Sequence, residues 1–237
     1  MRIWARMIRG AIKGALLFAI LLTLVSLEPG RAATVFFEDF SDNSAGWTLG
    51  PEWAIGSATA SAGHVYGGPD PASDHTPTAD NGVAGVVIGG NASLAVHPFY
   101  YLTSPAISVT GLPDATLEFY RWLNSDYTPY MQNIVEVFDG VGWHTLWITG
   151  GDPGVQDSAW THQAFDITAY QNANLMLRFG FQIDSGGVFT VSSWNLDDVS
   201  ITSKDGSHMS QVPEPATSVL FALGLTAAAV LRRRMLL

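Results

Sequence analysis

The chain has no cysteine among its 237 residues, and that absence removes disulfide bonds, a thiol nucleophile and any cysteine-ligated zinc. Basic residues are nearly as scarce away from the two ends. Between residues 33 and 211 only Arg121, Arg178 and Lys204 stand against nineteen acidic side chains, a net charge of −16. A surface of that sign repels phosphate backbones, so no nucleic-acid partner is expected, whereas divalent cations and neutral polymers fit. Catalytic signatures are missing as well. His64, His75, His97, His144 and His162 are scattered without a His-Glu-x-x-His spacing, and only His75, set between Asp74 and Thr76, stands out. Asp184-Ser185-Gly186-Gly187 mimics the nucleophile loop of serine proteases but lacks the preceding glycine and reads as a turn.

Long apolar runs are absent too, and two short ones occupy the ends. Arg2, Arg6, Arg9 and Lys13 precede the apolar run Ala15–Leu27, and Gly30-Arg31-Ala32 places small residues for cleavage after Ala32. Basic, apolar and small segments in that order predict a secretory signal peptide over residues 1–32, delivered to the Sec export machinery. Ala216–Leu231 predicts a transmembrane helix, thin because a bilayer asks for about 20 apolar residues. Arg232, Arg233 and Arg234 form a membrane stop held on the cytoplasmic side, so the precursor is anchored in the inner membrane with its middle exported. Pro213 and Pro215 cannot sit in a helix interior, which leaves Pro213-Glu214-Pro215 as an extended segment just outside the membrane.

Val212, Pro213, Glu214 and Pro215, then the apolar run, then the arginine cluster, together spanning 212–237, resemble the PEP-CTERM sorting signal of Gram-negative bacteria. The resemblance implies processing by an exosortase-type membrane protease in hosts that make exopolysaccharide. The mature form would then be periplasmic, cell-surface or extracellular.

The exported part, 33–202, reads as all-β, followed by a polar linker over 203–211. In NLMLRFGFQI, Leu175, Leu177, Phe179, Phe181 and Ile183 fall on one face and Met176, Arg178 and Gln182 on the other, the period of a half-buried strand. TLEFYRWL and NIVEVF behave alike, Asp139-Gly140 marks a turn into WHTLWI, and no amphipathic helix is evident. The stretch from Pro51 to Asn91, rich in Gly, Ala, Ser, Pro and Asp, reads as loop. The order FFEDF, GWTL, DPASDHTP, LTSPAI, TLEFYRWL, VEVF, Trp160 and WNLDDVSI resembles a MAM-type domain, without its cysteines. That resemblance implies a jelly-roll (concanavalin/MAM-like) β-sandwich with its first and last strands adjacent, bringing Glu38 near Asp197.

Two sets of candidate site residues follow. Glu38 and Asp39 in the first strand, Asp74 in the long loop, and Asp197 and Asp198 in the last strand supply hard oxygen ligands for one structural calcium. If Val199 and Ile201 face the core, unbroken alternation puts Asp197 with them and Asp198 outside. Turn capping and solvation account for such carboxylates equally simply. Trp122, Tyr127, Tyr130 and Trp143, grouped around what read as two neighbouring strands and their connection, form a candidate ligand platform for sugars or a protein partner. Tyr120 and Trp122 share a face opposite Leu117, Phe119 and Leu123, so that face is either a second packed layer or an exposed platform. Two-ended targeting without a catalytic set points to a surface or extracellular-matrix-associated binding or adhesion protein that engages extracellular polysaccharide. The alternative is a secreted hydrolase, a glycosidase or esterase, with an acidic active site. A glycosidase needs two carboxylates facing one cleft, which sequence alone does not place.

Overall fold

The computed structural model describes residues 33–76 and 78–204. The expected signal peptide, the linker from residue 205 onward, the sorting motif and the tail helix lie outside the described residues.

Eleven strands, all paired antiparallel, form two sheets of a jelly-roll-class β-sandwich. The six-stranded sheet contains β1 (Ala33–Glu38), β3 (Trp53–Ser57), β4 (Gly82–Val86), β6 (Thr116–Leu123), β9 (Thr161–Asp166) and β11 (Trp194–Ser203). Its order is β3-β4-β11-β6-β9, and β1 pairs with the C-terminal half of β11 along the edge whose N-terminal half holds β4. The five-stranded sheet runs β2 (Thr48–Leu49), β5 (His97–Thr103), β10 (Met176–Ile183), β7 (Met131–Phe138) and β8 (Trp143–Ile148). The one helical element among the described residues is a 3-10 turn, Thr168–Tyr170, and no helix there is long and apolar enough to cross a membrane.

The alternation in the sequence becomes the core. Leu177, Phe179, Phe181 and Ile183 of β10 meet Leu117, Phe119 and Leu123 of β6 across the sandwich, all buried. With no disulfide available, aromatic contacts tie the sheets together: Phe119 meets Phe179 edge-on at 5.1 Å, Phe179 meets Trp194 at 5.9 Å, and Phe181 meets Trp53 edge-on at 6.4 Å. Arg121 points inward at the sandwich edge, where Asp157 takes its guanidinium at 2.9 and 3.1 Å. Asp157 also accepts the Leu123 amide, so the pair is hydrogen-bonded rather than merely close.

Two strands form where the composition reads as loop, β3 and β4. Their small residues are needed because chain packs against both faces of β4, which is buried throughout. A Cβ on Gly85 would stand 2.5 Å from Asn195 Oδ1, and one on Gly82 would overlap the backbone at Phe40. Glycine and alanine therefore mark close approach here, not absence of structure.

Candidate functional site

The connection from Ala58 to Asn81 lies across the outer face of the six-stranded sheet, fastened from both sides. From the loop, Asp70 Oδ1 accepts Ser193 Oγ at 2.7 Å and Asn195 Nδ2 at 2.9 Å, and burial pushes its carboxyl above the usual range. From the sheet, Asp197 Oδ2 accepts the backbone N–H of His75 at 2.8 Å and of Thr76 at 3.1 Å. The indoles add two clamps: Trp122 Nε1 donates to Pro69 O at 3.0 Å and Trp160 Nε1 to Ser73 O at 3.2 Å.

A bulge in β11 decides what faces the loop. Tyr120 of β6 stands opposite Asp197 and Glu118 opposite Ser200, so Asp198 and Val199 together face the single residue Phe119. Asp198 takes φ +51°, and the extra residue resets the alternation. Asp197 therefore sits on the outer face with Tyr120 rather than on the core side expected from unbroken parity. It is 0% exposed because the loop covers it. Burial pushes its carboxyl up to about 7, against the lowering effect of the His75 and Thr76 amides.

Beyond the end of the loop the same face opens into a groove of about 440 Å³. Tyr120 is at its centre. The His75 ring stacks on Tyr120 with centroids 3.3 Å apart and 14° between planes, and His162, its register partner on β9, lies 5.2 Å away. Each histidine has a carboxylate: His75 Nδ1 is 2.6 Å from Asp198 Oδ2, and His162 Nε2 is 3.5 Å from Glu118 Oε1. Thr76 Oγ1 donates to Asp198 Oδ1, and Phe37, 54% exposed, forms an apolar wall. A carboxylate can only accept, so Nδ1 of His75 carries the proton here and donates to Asp198. The groove thus combines a stacked aromatic floor with donors and acceptors fixed in place. Those groups suit a ligand rich in hydroxyls.

The fold divides the residues expected for calcium: Glu38 faces the core, whereas Asp74, Asp197 and Asp198 lie at the loop on the outer face, where Asp74 feels the charge of Asp198. Glu38 pairs with Val199 and looks into the sandwich, where it accepts Phe40 N at 2.9 Å and Trp47 Nε1 at 2.9 Å; burial raises its carboxyl. Asp39 caps Ser41 N at 3.1 Å, and Asp74 accepts Thr78 Oγ1 at 3.3 Å. Asp197 and Asp198 are on the opposite side of the sheet from Glu38, and among the described residues no three His, Asp or Glu side chains gather as a metal set.

The four expected platform residues fall in three places. β6 belongs to one sheet and β7 and β8 to the other, so the connection between them crosses the sandwich. Trp122 is on the outer face of the six-stranded sheet, against Trp160 at 5.8 Å. Trp143 is on the outer face of the five-stranded sheet, 4.0 Å from the Arg178 guanidinium. Tyr127 and Tyr130 meet edge-on at 5.4 Å in the crossing connection. His162, Glu118 and Phe37 carry no sequence signal for the groove; they reach it through the pairing of β9 with β6 and of β1 with β11.

No curated protein sequence matches the chain. Solved structures similar to it include the K1 cleaved adhesin domain of Lys-gingipain from Porphyromonas gingivalis W83, at 16% identity and a TM-score of 0.42, covering 73% of this chain and 98% of that one. Another is the CBM22-1 xylan-binding domain of Paenibacillus barcinonensis Xyn10C, at 13% identity and 0.40, covering 75% and 98%. Such distant likenesses carry nothing about ligands. The tail is more specific: residues 211–234 match the PEP-CTERM protein-sorting motif, which marks this chain as an exported protein with a C-terminal sorting signal.

Proposed function

We propose that the chain is the precursor of an exported binding protein whose sandwich holds a neutral extracellular polysaccharide in the groove around Tyr120. The observation that carries this reading is the arrangement of Tyr120 between two histidine–carboxylate pairs, an aromatic surface ringed by fixed polar groups. The acidic balance of the domain disfavours polyanions and leaves uncharged, hydroxyl-rich chains. Delivery follows from the ends. The signal peptide hands the chain to the Sec machinery, the tail helix holds it in the inner membrane, and an exosortase-type enzyme cuts near Pro213-Glu214-Pro215. A glycan array probed with wild type and Tyr120→Ala tests the binding: retention of neutral glycans by wild type alone is expected, and no retention by either overturns it. Mass spectrometry of the C-terminal peptide, with and without the processing enzyme, tests the sorting. Finding Arg232 to Leu237 attached in both leaves an ordinary tail anchor.

A second reading rests on Glu118 and Asp198, two carboxylates lining one groove, as a glycosidase would need. Turnover of chromogenic glycosides that disappears in Glu118→Gln would favour it. Retention without turnover favours the binding protein.

A further inference from the structure

We infer that the groove is one end of an aromatic track, and that the track holds an extended neutral glycan chain rather than a single sugar; this rests on reading the groove as a glycan site. The track follows the loop backward from His75. The His75 ring meets Trp160 at 6.4 Å, Trp160 meets Trp122 at 5.8 Å, and both indoles are only partly buried. Their N–H groups are already bound to the carbonyls of Ser73 and Pro69. The rings are thereby locked in place and offer carbon surface, not a free donor. Past Pro69 the loop crosses Asn124, where Gly68 N donates to Asn124 Oδ1 at 2.8 Å and a side chain on Gly67 would overlap that amide. Tyr66 then stacks on Phe189 at 5.5 Å and 23°, beside the Tyr127–Tyr130 pair.

The far end is built, not incidental. Phe189 is 45% exposed and Val65 73% exposed, yet both backbones are held: Val65 N and Tyr66 N donate to Thr190 O, and Phe189 N donates to Asp126 Oδ2 at 2.8 Å. Asp126, 1% exposed, accepts Tyr127 N with its other oxygen at 2.8 Å, so one buried carboxylate positions rings from two loops. Of the three basic residues in the described part, Arg121 is paired inside the sandwich, Arg178 is on the other sheet and Lys204 follows the end of β11. Acidic groups border the track instead: Glu118 and Asp198 at the groove, Asp152 near Tyr127. Charge therefore disfavours a polyanion, and successive rings along one loop match a polymer whose residues repeat.

The test uses the intact protein and ladders of neutral β-1,4-linked glucose, xylose and galactose oligomers, from disaccharide to octasaccharide, in calorimetric titrations. Affinity should rise about tenfold or more along at least one ladder, a gain of about 1.4 kcal/mol. Trp160→Ala should remove that gain from intermediate lengths upward. Phe189→Ala, which changes an exposed ring and spares the core, should remove it for the longest oligomers. Equal affinity at every length, unmoved by Phe189→Ala, overturns the track while leaving the groove as a site. Absence of binding at every length overturns both.

Discussion

The two outer faces of the sandwich carry the same kinds of residue and put them to opposite use. On the five-stranded sheet, the Arg178 guanidinium lies 4.1 Å from the Tyr101 ring and 4.0 Å from Trp143, with Glu136 Oε2 at 2.7 Å from Arg178 Nε. Gly180 makes this possible, since a Cβ there would stand 2.5 Å from the Tyr101 ring. The rings and the charge satisfy one another. On the six-stranded sheet the aromatics are pinned by a loop that takes their N–H groups, and the remaining histidines and carboxylates border an open groove. Composition does not separate a self-satisfied face from one that can receive a ligand. The open groove left beside the loop does.

The largest effect that would break this comparison is in Arg178→Ala. It should destabilise by about 3–5 kcal/mol, because it strands the buried Glu136 carboxylate, and leave glycan retention intact in the fraction that folds. Urea unfolding beside a binding assay reads both. Tyr120→Ala should do the reverse, losing retention for about 1–2 kcal/mol of stability, since its ring is only partly buried. Trp143→Ala measured with it sharpens the contrast: loss of glycan binding there would make the five-stranded face a binding face after all.

Smaller effects concern the loop. In EDTA, the native state keeps the Asp197 proton up to about pH 7, whereas the unfolded chain releases it near 3.8. Folding takes up a proton between those values, so this group's stabilising contribution is greatest below pH 3.8 and falls as pH rises to 7. Asp70, raised by the same cause, adds to the slope, and Asp197→Asn should flatten it in pH-resolved melting curves. The smallest effect expected is that of calcium. As a proposal it requires Asp197 and Asp198 to exchange amide, hydroxyl and imidazole donors for the ion. It then predicts a Tm that rises with calcium by mass action and stops doing so in Asp197→Asn. An unchanged Tm across the titration leaves those carboxylates to their present donors.

Strands with alternation were legible because burial on one face leaves a period-two record: β6, β7 and β10 lie where that period predicts them, and β8 follows the Asp139-Gly140 turn. β3 and β4 were not, because their residues are small for packing reasons and small residues read as loop. His75 could be singled out from its neighbours, but its ring partner Tyr120 and the opposing His162 are far away in the chain and meet only through cross-strand register.

What the sequence alone determined is what depends on local order: the alternating strands, the acidic character, the exclusion of thiol chemistry, and the sorting signal read from Pro-Glu-Pro, an apolar run and three arginines. What only the tertiary structure decided is every meeting between distant residues. A single bulge in β11 moved Asp197 across the sheet from Glu38, and a connection that crosses the sandwich divided Trp122 from Trp143. The physical reason is the same in both cases. A strand's side-chain parity is local, but which strands pair, and where one residue is inserted in the ladder, depends on contacts made by the whole chain.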